Sequence, residues 1–323
     1  MPLGEKKELS INSLDDLMRC INLASLLEIS GWPKPGNVHR TKDFIDTRFE
    51  HFLAGISAIQ PNFKKFCSEV YKNSNNLEEE FCFVKLGNFF KAAAKEMIKW
   101  QKGGNVLLGH ILILAPLVAA AAICLKFKVI KFKDFAHIIK KIINDSTVED
   151  TVNLYEAIRI CKPGGLGRRD KYDVYDENSI INIKNDNINL KKIFEISKNY
   201  DLISLEYSSS FNIILNEGFP YYFEVFRQTK NVNIATVNTF LKILSDHPDT
   251  LIIRKSGLEA ALFVSNKASE ILKEGGISSN KGLNLIIELD NTLQAKQGKM
   301  NPGTTADILA GIIFVSLIFG LRF

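Results

Sequence analysis

Apolar residues recur along most of this chain every three or four positions, the spacing that gives a helix one face in the core. Leu14, Leu17, Met18, Ile21 and Ala24 follow Ser13-Leu-Asp-Asp16, a capping box that opens such a helix. Ser146-Thr-Val-Glu149 reads as a second box, leading into Val152, Tyr155, Ala157 and Ile158. Phe44, Phe49, Phe52 and Ile56 predict a helix that stops before Pro61, because proline removes a donor and crowds the preceding turn. Further helices are expected near 78–100, 232–246, 256–274 and 281–295. Two stretches are apolar on every side: 106–125, interrupted by His110, and 308–321, interrupted by Ser316. The pattern reads both as buried helices, the first as the centre of the core. Ile180 to Ile188 alternates, but Asn and Asp fill the polar slots, so it reads as a loop. No hairpin or βαβ pattern stands out. The expectation is an all-α chain, roughly 60% helical or more against an average near one-third.

Composition refines this picture little. Hydrophobic residues are 46% and charged residues 24% of 323, normal for a globular protein with a sizeable core. No clean linker appears, so 1–323 reads as one helical domain with a polar excursion near 168–192. The net charge of +5 suits an anionic small molecule and is too weak to argue for nucleic acid. The run Lys126, Lys128, Lys131 and Lys133, interleaved with Phe127, Val129, Ile130 and Phe132, reads as a helix connection. The five cysteines are scattered and form no CxxC pair, which predicts a reducing compartment, the cytoplasm. Met1 to Leu9 is polar and charged, and so reads as lacking a signal peptide. No membrane span is expected.

The candidate chemistry lies in four loops that open or close helices. Near the C-terminus, Asn301-Pro302-Gly303-Thr304-Thr305-Ala306-Asp307 precedes an apolar helix. Pro-Gly forces a turn, Thr304 or Thr305 can cap, and the free N–H groups suit a phosphate. Asp307 beside a phosphate makes sense with a divalent cation between them. A second loop runs Lys34-Pro35-Gly36-Asn37-Val38-His39-Arg40, with Asp43 and Asp46 following. Lys34, His39 and Arg40 suit phosphates, and the two carboxylates suit Mg²⁺ or a general base. A third, Gly103-Gly104-Asn105 with Gly109-His110, offers a phosphate cradle; His110 itself reads as a core histidine. The fourth, His247-Pro248-Asp249-Thr250 with Arg254-Lys255, combines metal-ligand and phosphate-ligand chemistry. Gly164-Gly165-Leu-Gly167-Arg168-Arg169 has the glycines of a phosphate loop but lacks the GK[ST] ending and the preceding strand of a P-loop. Together these loops point to a polyphosphate–metal site.

Taken in order, Pro33-Lys34-Pro35-Gly36-Asn37-Val38, Gly104-Asn105 with Leu108-Gly109, His247 to Thr250 with Arg254-Lys255, and Asn301 to Asp307 resemble the triphosphoribosyl-dephospho-CoA synthase family. Val106 and His39 stand where the bacterial form has Thr and commonly Asp. Thr147 to Asp150, Gly164 to Gly167 and Tyr200 to Leu202 resemble an archaeal and methylotroph branch. The resemblance implies an all-helical transferase that uses ATP as substrate, moves a triphosphoribosyl or related group to a hydroxyl acceptor such as 3′-dephospho-CoA, and releases adenine. Under it, Asp249 and Asp307 would hold Mg²⁺, and Asp43, His39 or Asp46 would activate the hydroxyl. Lys34, Gly36, Asn37, Arg40, Gly104, Asn105, Arg254, Lys255, Asn301, Gly303, Thr304 and Thr305 would bind substrate or phosphate. A kinase, a nucleotide hydrolase or a non-catalytic nucleotide-binding protein are the alternatives.

Overall fold

A computed structural model describes residues 7–323; most of the polar start, residues 1–6, lies outside the described residues. About 70% of the chain is helical, in fifteen α-helices among the described residues, with two isolated bridges in place of any strand. In chain order they are α1 (Leu14–Ser30), α2 (Phe49–Asn73), α3 (Leu86–Trp100), α4 (Leu108–Phe127), α5 (Phe132–Asn144) and α6 (Val148–Cys161). Then follow α7 (Ser179–Asn185), α8 (Leu190–Ser197), α9 (Leu202–Ser209), α10 (Phe219–Thr229) and α11 (Val232–Asp246). The last four are α12 (Thr250–Ser256), α13 (Leu258–Lys273), α14 (Asn280–Gln294) and α15 (Gly303–Ile318).

The two apolar stretches form the centre. α4 is long and apolar enough to cross a membrane, yet 89% of its most apolar window is buried inside the protein. It packs against α15 and is enclosed by α1, α2, α3 and α5, while α1, α10 and α11 close over α15. A helix with no polar face must be surrounded, and these helices surround both. Gly311 lets the pair approach: a Cβ there would stand 2.7 Å from Ile113 Cγ2.

Local departures from the sequence reading have physical causes. α2 runs straight past Pro61 because its buried stripe of Ile56, Ile59, Phe63, Phe66 and Val70 continues unbroken. Pro61 and Ser57, whose carbonyl the proline leaves without a partner, both face solvent. Phe44 lies before the helix, which starts only at Phe49. The expected 78–100 helix is interrupted at Lys85, which is left-handed between a short 3₁₀ turn and α3. The second capping box is one residue later than read: Thr147 and Asp150 cap each other, while the Ser146 hydroxyl donates to Ile143 at the end of α5. Residues 180–188 are largely α7, because Ile180 and Ile183 are three apart and pack inward. Ser13, α11, α13 and α14 follow the expectation closely.

Candidate active site

The helix pattern brings the amino ends of α4 and α15 to one cavity of about 600 Å³. The helix-free segment 162–178, with α8 and α9, lines its other side. α6 anchors this segment: Tyr155 donates its hydroxyl to the Tyr172 carbonyl at 2.5 Å, and Arg159 Nε donates to the Val174 carbonyl at 2.7 Å.

At the helix ends lies a quartet, buried except for the partly exposed Asp307. His110 Nδ1 sits 2.8 Å from Asp307 Oδ1, and its Nε2 lies 3.2 Å from Glu28 Oε2 without good N–H alignment. Glu28 is ion-paired with Lys34, whose Nζ also donates to the Glu28 carbonyl at 2.9 Å. Two carboxylates facing both ring nitrogens favour an imidazolium. Burial alone would lower the His110 pKa, but Asp307 and Glu28 raise it to about 9. Burial pushes Glu28 up, and the Lys34 and His110 charges more than offset this, so its pKa ends below the ordinary value. Burial raises the Asp307 carboxyl above its ordinary value, with His110 opposing. Asp307 Oδ2 accepts no hydrogen bond among the described residues and lies against Gly109, where a Cβ would come within 1.8 Å. Gly109 therefore makes room for this carboxylate rather than for a ligand. Asp307 and His110 both line the cavity.

Several sequence-predicted residues meet there. Asn37, Asn105 and Asn301 line the cavity, with Asn37 Nδ2 donating to Asn301 Oδ1 at 2.9 Å and Asn105 Oδ1 accepting from Leu108 N at 3.1 Å. Gly303, Thr304, Arg254, Lys255 and Asp46 line it as well. Arg254 pairs with Asp201 at 2.9 Å and keeps its buried Nε without a partner.

Other predicted residues are turned to structural work. Asp249 is fully buried and away from the cavity; Oδ1 accepts from Leu251 N and Ile252 N, and Oδ2 from Thr305 N and Thr305 Oγ1. Its four acceptor positions are filled, so it caps α12 and α15 together and leaves nothing for a metal. Thr305 is spent on the same contact rather than on phosphate, and neither Thr304 nor Thr305 is the side-chain cap of α15. Asp307 falls just beyond the first turn. Lys34 is enclosed by Glu28. His39 is fully buried with its Nε2 3.3 Å from Asp290, whose Oδ1 accepts from Gly36 N at 2.9 Å. Arg40 donates to Asn233, and Asp43 accepts from Phe49 N at 2.8 Å. Gly104 accepts through its carbonyl from Gln101, beside the cavity rather than in it. His39 and Asp43 thus lose the role of base, and Lys34, Gly36, Arg40 and Gly104 that of direct phosphate ligands.

Sequence reasoning assigned no functional role to Glu28, His110, Tyr155, Tyr172 or Tyr200, all of which line the cavity. For Glu28 a signal existed. It continues the apolar series Leu17, Ile21 and Ala24, so helical spacing places a charge in the core.

This is an all-helical protein with one cavity lined by both acids and cations. The chain belongs to the CitG family, ATP:dephospho-CoA triphosphoribosyl transferase, whose model matches residues 14–322. The 2-(5''-triphosphoribosyl)-3'-dephosphocoenzyme-A synthase of Klebsiella pneumoniae is 29% identical over 111 residues, 34% of this chain and 36% of that protein. That match spans about a third of the relative's length. A probable synthase of the same name from Vibrio cholerae serotype O1 (strain M66-2) is 23% identical over 89% of this chain and 83% of its own. A crystal structure from Archaeoglobus fulgidus, carrying a triphosphoribosyl-dephospho-CoA synthase name, superposes with a TM-score of 0.62 at 23% identity. It covers 84% of this chain and all of that one, and shows the same fold.

Proposed function

We propose that this protein is a cytoplasmic transferase that moves the triphosphoribosyl group of ATP to a hydroxyl of 3′-dephospho-CoA. The acceptor oxygen attacks the anomeric carbon of the ATP ribose. The carbon–nitrogen bond to adenine breaks, and adenine leaves with the proton that the hydroxyl gives up. Positive charge grows on the sugar, as in glycoside chemistry, so the reaction gains from an anion nearby.

The observation that carries this reading is one cavity lined by both acids and cations. Asp307, Glu28 and Asp46 lie among its lining acids, while Lys162, Arg169, Lys171, Arg254 and Lys255 supply positive charge for phosphates. Among the described residues no cluster of three or more His, Cys, Asp or Glu could hold a metal. Mg²⁺ is commonly held by one or two carboxylates together with substrate phosphates. Asp307 would be its protein ligand, and the ion would neutralise triphosphate charge. His110 holds Asp307 in place, and Asn37, Asn105, Asn301 and Thr304 supply polar contacts to sugar or phosphate. Asp46, on the loop before α2, is the remaining candidate base.

Incubation with ATP, Mg²⁺ and 3′-dephospho-CoA, followed by chromatography and mass spectrometry, tests this. Free adenine should appear in step with a product heavier by the triphosphoribosyl group. ADP, AMP or phosphate without adenine would replace the reading with a kinase or hydrolase.

A further inference from the structure

A second constellation lines the same cavity, on the segment whose Gly164 and Gly165 abut Lys255 and Arg254. Lys162, Arg169 and Lys171 line the cavity from this helix-free segment, and Tyr172 and Tyr200 stand beside them. The Arg169 guanidinium lies 3.9 Å from the centroid of the Tyr200 ring, a flat cationic platform. Asp170, adjacent in sequence, forms no ion pair with it among the described residues, and Asp173 does not neutralise it either. Asp173 Oδ2 accepts from Arg169 N at 2.7 Å and Oδ1 from Tyr175 N at 2.8 Å, so its carboxylate shapes the backbone. The side chains of Lys162 and Arg169 have no acidic partner among the described residues, whereas Arg254 is tied to Asp201. Lys171 has only a distant one, Asp186 at 3.7 Å. Behind the cations, the Tyr155 and Tyr172 rings are buried and give the wall an apolar surface. Unpaired cations around aromatic faces are what a nucleotide finds complementary.

We propose that segment 162–172, together with Tyr200, is the acceptor subsite and holds the nucleoside diphosphate part of the acceptor, leaving Arg254 and Lys255 to the triphosphate of ATP. The assignment rests on the transferase reading, which puts two polyanions in one cavity. That reading puts the donor sugar at Asp307, and Arg254, held by Asp201 on the wall of the same cavity, suits the phosphates attached to that sugar. The acceptor brings its hydroxyl to the same point from the other side. Its long arm must leave the cavity, and Lys162, Arg169 and Lys171 are exposed at that side.

The test is calorimetric titration of the full chain with 3′-dephospho-CoA and, separately, with Mg²⁺-ATP, without turnover. In Lys162→Ala/Arg169→Ala, 3′-dephospho-CoA should bind about tenfold or more weakly while ATP changes by less than about twofold. Arg254→Ala should show the opposite split. Equal loss of both ligands, loss of ATP alone, or no change in the double variant would overturn the subsite. So would a wild-type chain that does not bind 3′-dephospho-CoA. Since these side chains are exposed, circular dichroism should match wild type. If the split is found and adenine never forms, the subsite stands and the transfer chemistry falls.

Discussion

Asp249 and Asp307 begin from similar positions. Each lies near the start of a helix, Asp249 fully buried and Asp307 partly exposed, and desolvation raises the pKa of both above the ordinary carboxylate value. They end differently. Asp249 spends both oxygens on backbone and hydroxyl donors that join α12 to α15. Asp307 spends one on His110 and keeps the other toward the cavity. A buried carboxylate whose lone pairs are all taken is part of the frame, and one with an oxygen to spare at a cavity is available for chemistry.

The sharpest way to break this contrast is substitution by Asn. Asp307→Asn should lower adenine release by about two orders of magnitude or more while the fold survives with a lowered thermal midpoint, because the buried His110 imidazolium loses one of its two carboxylate partners. Retained turnover would move the chemistry elsewhere. Asp307 should also set an acidic limb in the pH–rate profile. Its carboxyl is raised, so the ionised form is lost as pH falls through a value above that of an ordinary aspartate, and the limb should vanish in the Asn variant. Asp249→Asn should do the reverse. The amide offers one acceptor where two worked, and unpaired buried donors cost about 1–3 kcal/mol each, so denaturant melts should show a loss of about 2–4 kcal/mol with near-normal turnover per folded molecule. Smallest is Thr305→Ala, expected to cost about 1 kcal/mol because the hydroxyl donates into the same carboxylate. A loss of ATP affinity there would instead return Thr305 to the binding site.

The frame was legible where periodicity alone decides: the all-helical architecture and the two enclosed apolar helices follow from spacing and from the lack of any polar face. The cavity was legible in part, through the Asn-containing turns and through Asp307, the single ionisable residue of α15. What remained hidden depends on which side chain answers which across long separations. Lys34 and Asp249 carry the right chemistry, yet a neighbour claims each before a ligand could. His110 looks like a core histidine because its partners come from α1 and α15, and no local pattern shows that both ring nitrogens meet acids. Segment 162–178 has no period at all, so its approach to Tyr200 is visible only in three dimensions.

The enclosure of α4 also has a consequence in time. α4 ends at Phe127 and α15 begins at Gly303, so 175 residues (128–302) lie between them. At about 5–20 residues added per second, the face of α4 that α15 covers waits roughly 10–35 s on the ribosome for its partner. During that interval the nascent chain displays an apolar helix to whatever binds such surfaces, and the last helix to be made completes both the core and the catalytic end of the cavity.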